Sequence, residues 1–77
     1  MTHIEVLGPG CQKCKVLFEH AEQAAKELGL EFEIKKVTDI SAIMGYGVLS
    51  TPALVVNSEL KLAGRVPSAE QIKGFLS

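Results

Sequence analysis

The chain has no tryptophan, one tyrosine and three phenylalanines among its 77 residues, too few aromatic faces for a platform on which bases stack. It has no excess of either charge: eight Lys and Arg against nine Asp and Glu leave a formal net charge of -1. The basic footprint of a nucleic-acid binder is therefore missing. No apolar run approaches the ~20 residues of a membrane span. The start, "MTHIEVL", lacks the charged region, long apolar stretch and small-residue cleavage site of an export signal, so the chain is expected in the cytoplasm. Cysteine is scarce too. Two residues cannot make the disulfide framework of a small secreted protein.

What is present is the material of a core. Hydrophobic residues make up 47% of the chain and charged residues 22%, a balance that favours folding over disorder. At this length residues 1–77 read as one domain, expected to act as a monomer, that buries roughly 60% of its unfolded surface. Both cysteines, Cys11 and Cys14, fall in "GPGCQKCK", Gly8 to Lys15. Such a pair can be a staple, half of a metal site or a reversible redox switch. A disulfide closing four residues is worth about 2 kcal/mol before strain, against ~3 for fifteen. In a reducing compartment a thiol pair is more often catalytic or metal-binding than permanent, so the staple is the weakest of the three.

The rest of the chain supplies the setting. "HIEVL" is a short strand stopped by Gly8-Pro9-Gly10. From Gln12, apolar Cys14, Leu17, Ala21, Ala24, Ala25 and Leu28 recur every three or four residues, the stripe of an amphipathic helix, with Gly29 placed to cap its end. "EFEIKKV", Glu31 to Val37, reads as a half-exposed strand near a sheet edge. Thr38 or Asp39 can cap a short helix reaching about Gly45. "ALVV", Ala53 to Val56, is apolar throughout and suits a central strand, and "LKL", Leu60 to Leu62, alternates as an edge strand does, with Asn57-Ser58-Glu59 as the hairpin loop. Ser68 with Gln71 makes a capping box before a last helix. The expected fold is α/β in the order β-α-β-α-β-β-α. His20 and His3 read as surface and strand-end residues, and Tyr46 as a loop residue packed over the core beside a turn glycine.

With Cys11 at the start of the first helix and Cys14 one turn in, the two side chains project on one face within disulfide reach. The helix dipole and Lys13 favour a thiolate at Cys11, the expected nucleophile. Cys14, on the apolar stripe, is the less accessible resolving thiol.

The element order, a Cys-x-x-Cys opening the first helix and Thr51-Pro52 before the third strand together resemble the thioredoxin superfamily. "VLGPGCQKCK" and "YGVLSTPALVVN" are similar to the small thioredoxin-like redox-active disulfide proteins of archaea and bacteria. The resemblance spans essentially the whole chain. It implies a minimal thioredoxin-like fold, a four-stranded mixed sheet flanked by helices, and a thiol-disulfide oxidoreductase needing no cofactor or metal. Disulfide-containing proteins and a reductase are the implied partners. Pro52 would carry a cis peptide bond, and Thr51 would offer its backbone to an extended substrate, with Gly10, Gln12 and Lys13 bordering it. Gly10 stands where typical thioredoxins have tryptophan, and Gln12-Lys13 where they have Gly-Pro.

Glu5, charged within an apolar strand, lies six positions before Cys11, the offset at which typical thioredoxins bury an aspartate beneath the second cysteine. The resemblance thus implies that Glu5 assists proton transfer from Cys14. The alternative is a strand-end carboxylate in water. A second function also stays open: Gly-x-Cys-x-x-Cys after a first strand resembles the heavy-metal-associated copper-binding domains, in which two thiolates hold a soft metal. Those domains need a β-α-β-β-α-β order, with a hairpin where this chain has "DISAIMGYG".

Overall fold

The first strand, β1 (Thr2–Leu7), lies inside the sheet and buries Ile4 and Val6 on one face and Leu7 on the other. The computed structural model describes residues 1–8, 12–48 and 50–76, and in these β1 is followed by α1 (Gln12–Glu27), β2 (Phe32–Val37), α2 (Ile40–Gly45), β3 (Ala53–Val56), β4 (Glu59–Ala63) and α3 (Ala69–Leu76). The expected order is borne out. The four strands lie in the order β2-β1-β3-β4, with β1 parallel to β2 and antiparallel to β3, a mixed sheet flanked by helices.

Alternation along the strands divides the interior in two. Ile4, Val6, Leu54 and Val56 point to the side of α1 and α3, where they meet Leu17, Ala21, Ala24, Ala25 and Ile72. Leu7, Ala53 and Val55 point to the side of α2 and pack with Ile43 and Val48. β3 is buried at all four positions, as its unbroken apolar run implies, whereas β2 and β4 at the edges are mostly half-exposed or exposed.

Local signals end the elements where they are expected. Gly29 takes φ +69°, and the amides of Gly29 and Leu30 close on the carbonyls of Lys26 and Ala25, the paired bonds of a Schellman stop. Asp39 caps α2 through Ser41 N–H. The capping box forms in both directions, with Ser68 N–H donating to Gln71 Oε1 and Gln71 N–H to Ser68 Oγ. The hairpin turn is one residue shorter than expected. Asn57 and Ser58 both have positive φ, as a primed two-residue turn demands, and Glu59 already belongs to β4.

His20 corrects its expected surface placement. It is half-buried, with Nδ1 2.8 Å from the carbonyl of Pro67, so it joins α1 to the segment that leads into α3. Glu27 and Lys73 pair across the same two helices. That bond lowers the Glu27 carboxyl pKa and raises that of the Lys73 ammonium.

Two substitutions separate the cap from the core. Ser68→Ala is expected to cost about 1 kcal/mol through the lost cap. Leu17→Ala, at a fully buried position, is expected to cost about 2–5 kcal/mol. Urea unfolding measures both as lowered midpoints at unchanged slope, and a larger loss for Ser68→Ala would contradict the assignment.

Candidate active site

The site is built where β1 ends and β3 begins, which is one edge of the sheet because the two strands run antiparallel. Leu7 pairs with Ala53, so Gly8 and Pro52 leave the sheet side by side. α1 starts at Gln12 and brings Cys14 onto this edge from the Val6 side. Cys14 is buried, with 6% of its surface exposed.

Gly8 makes room for the sulfur. A Cβ at this position would fall 2.2 Å from Cys14 Sγ and 3.3 Å from Cys14 Cβ, with Pro52 Cα 3.9 Å away. Cys14 Sγ therefore sits against the backbone at the end of β1, and Pro52 approaches the same glycine. The Thr51–Pro52 peptide bond is cis. Pro52 is buried, while Thr51 is exposed and its side chain stands at the surface. The carbonyl of Pro52 accepts from Gly64 N–H at 2.8 Å, and Gly64, at φ +81°, would crowd Ser50 if it carried a Cβ. Arg65, next in the chain, is exposed.

A cavity of about 40 Å³ opens beside the thiol, lined by Val6, Gly8, Cys14, Lys15, Lys36 and Thr38. Gln12 and Lys13 are exposed on the first turn of α1. Gly10 and Cys11, expected at the substrate and as the nucleophile, lie outside the described residues. Among the described residues no three His, Cys, Asp or Glu side chains converge as a metal site would require.

Glu5 takes the α2 face of β1. Val6 and Gly8 flank the thiol on the α1 side of the sheet, and a strand turns successive side chains to opposite faces. Glu5 consequently points to the α2 side, between its strand neighbours Lys35 and Val55. It is not in open water. Its side chain is 18% exposed, accepts a hydrogen bond from the Tyr46 hydroxyl and lies 4.0 Å from Lys35 Nζ. The carboxylate holds the Tyr46 proton in place, raising the phenol pKa through that hydrogen bond first and through burial and charge second. Tyr46 is thus the packed loop residue expected, with a polar anchor added. A groove of about 240 Å³ lies on the same face, lined by His3, Glu5, Glu33, Lys35 and Ser58 among others, and shares no residue with the Cys14 cavity.

Gly8, Lys36, Thr38 and Gly64 were not singled out from the sequence as site residues. Gly8 had a signal as part of a breaker cluster, but its close approach to sulfur is a tertiary fact. Lys36 had one as well. Two consecutive lysines in a strand cannot share a face, so one of Lys35 and Lys36 had to turn toward α1.

Sequence comparison completes the description of the site. Residues 2–77 match the Thioredoxin domain family. The chain belongs to that family. It is 42% identical to a "Thioredoxin" of Methanothermobacter thermautotrophicus over 77 residues, covering all of both chains. It is 38% identical to a "Thioredoxin" of Methanocaldococcus jannaschii over 73 residues, 95% of this chain and 84% of that one. A "Probable Thioredoxin" of M. thermautotrophicus is 29% identical over 76 residues. The copper-carrier alternative finds no support: α2 occupies the stretch in which its fold needs a hairpin, and none of these relatives carries a metal-binding name. Among the described residues no helix is long and apolar enough to cross a membrane.

Two variants test this geometry. Gly8→Ala places a methyl group on the Cys14 sulfur, and is expected to destabilise the fold by about 1–3 kcal/mol and to displace the thiol. Unfolding midpoints and the Cys14 alkylation rate measure both effects. Tyr46→Phe is expected to lower stability by roughly 1 kcal/mol at neutral pH. Because the folded phenol pKa is raised, this contribution is complete below the ordinary tyrosine value of about 10 and is lost as pH climbs through the higher folded value. The stability difference between wild type and Tyr46→Phe should therefore shrink only at strongly alkaline pH.

Proposed function

We propose that this protein is a thiol-disulfide oxidoreductase that cycles Cys11 and Cys14 between dithiol and disulfide. One observation carries the reading: in a chain of the Thioredoxin domain family, the second cysteine of a Cys-x-x-Cys is buried on the first turn of α1, its sulfur against Gly8, the residue that Pro52 also approaches.

In the proposed reduction, the Cys11 thiolate attacks one sulfur of a substrate disulfide. The substrate S–S bond breaks, a Cys11–substrate S–S bond forms, and the first substrate sulfur leaves as a thiolate that takes up a proton. The Cys14 thiolate then attacks Cys11 Sγ, forming the internal disulfide and releasing the second substrate thiolate. The protein gives up two electrons and two protons in total, and the substrate disulfide gains them. A reductase supplying two electrons and two protons restores the dithiol.

Burial suits Cys14 to the second step. A thiol 6% exposed meets an incoming protein poorly, whereas a mixed disulfide on its neighbour three residues away is intramolecular and always at hand. Exposed Thr51, Gln12 and Lys13 are proposed to border the substrate, with the Thr51 backbone pairing to an extended segment. The proposed substrates are protein or small-molecule disulfides, handled by a monomer in a reducing compartment. The name "Thioredoxin" borne by the relatives supports the same chemistry.

Insulin disulfide reduction driven by dithiothreitol tests the reading. Cys11→Ser is expected to abolish it. Cys14→Ser is expected to stop turnover and to accumulate a mixed disulfide at Cys11, visible by mass spectrometry. Undiminished reduction by either variant would overturn the proposal.

A further inference from the structure

The cavity beside Cys14 has two charged groups among its lining residues, Lys15 from α1 and Lys36 from β2. The other described residues lining it are uncharged: Val6 and Gly8 from β1 and Thr38 after β2. Among the described residues no carboxylate lines this cavity: Glu19, the acidic group nearest Cys14 in sequence, is exposed on α1, and Glu5 faces the other side of the sheet.

Lys36 is directed there by its position. It is paired with Val6 in the parallel ladder, on the face that carries α1. Its ammonium is held over the ring of Phe18, 4.9 Å from the centroid, a cation–π placement. Phe18 lies four residues after Cys14, one turn further along the same face of α1. The strand fixes one end of the lysine and the aromatic ring fixes the other, with the cavity of Cys14 alongside.

We propose that Lys36 is a positioning residue for the resolving step, its ammonium, seated on Phe18, supplying the fixed positive charge that stabilises the Cys14 thiolate. This deepens the dithiol reading and rests on it. A resolving thiol must lose its proton before it attacks Cys11 Sγ, and burial alone works against the charged form. A cation held beside the cavity offsets that burial. The Cys14 proton leaves to solvent, and no further reactant is consumed.

The test titrates Cys14 alone, in the full chain carrying Cys11→Ser, by ultraviolet thiolate absorbance against pH. Lys36→Met and Lys36→Gln are expected to raise the thiol pKa by about half a unit or more, a roughly threefold fall in thiolate on the acid side, while Lys36→Arg stays near the parent value. Lys15→Met measures the loss of one positive charge from the same cavity wall and is expected to shift it less. An unchanged pKa in both Lys36→Met and Lys36→Gln would overturn the proposal, as would a shift in Lys15→Met equal to or larger than theirs. Because no substrate is present, these results stand whether or not the wild type reduces insulin. Failure of the oxidoreductase reading is thereby told apart from failure of this one.

Discussion

Everything at the site depends on β1 being the strand with a layer on both faces. Its six residues alternate between two cores, Ile4 and Val6 into one, Leu7 into the other, and its end at Gly8 fixes the level at which α1 starts and β3 begins. β1 and β3 are antiparallel neighbours, so the segment leaving β1 and the proline entering β3 are forced together. The sulfur of Cys14 fits against Gly8 only because position 8 has no side chain. The strand thus sets the site by geometry before any charged group takes part.

The same alternation sorts the electrostatics. The α2 side of the sheet holds Glu5, Lys35 and the Tyr46 hydroxyl in one hydrogen-bonded and ion-paired group. The α1 side holds the thiol with Lys15, Lys36 and Thr38. Roughly one strand thickness of peptide separates a carboxylate from a thiol whose reactive form is an anion. Like charges so divided repel less than they would in one cavity, and the thiol's side carries Lys15 and Lys36 while Lys35 stands by Glu5 on the other.

The architecture was legible because each element announced itself locally. Cys14, Leu17, Ala21 and Ala25 marked the buried stripe of α1, Gly29 its end and Ser68 with Gln71 the start of α3. The cysteine pair and Thr51-Pro52 were legible as motifs, and their resemblance gave the fold. The face chosen by Glu5 was not. His3 and Glu5 alternate with Ile4 and Val6, so the sequence sets Glu5 opposite those two, but it does not say which of the two faces the thiol meets. The count of six positions back from Cys11 crosses the breaker cluster Gly8-Pro9-Gly10, over which a strand's alternation cannot be carried in sequence. His20 was misread for a related reason: its partner is a backbone carbonyl 47 residues away, and a carbonyl leaves no trace in sequence.

Gly8 and Pro52, which meet at the site, are referred to a single strand by different means. Gly8 belongs to β1 by covalent continuity. Pro52 is tied to it by the pairing of Ala53 with Leu7, and the chain that leads to Pro52 is tied again at Tyr46, whose hydroxyl is bonded to Glu5 in the middle of β1. Gly64 N–H holds the far side of Pro52 through its carbonyl. A small chain cannot rely on a large core to keep loops in register. Here hydrogen bonds to or beside one central strand replace core mass, and Glu5 anchors the loop carrying the proline.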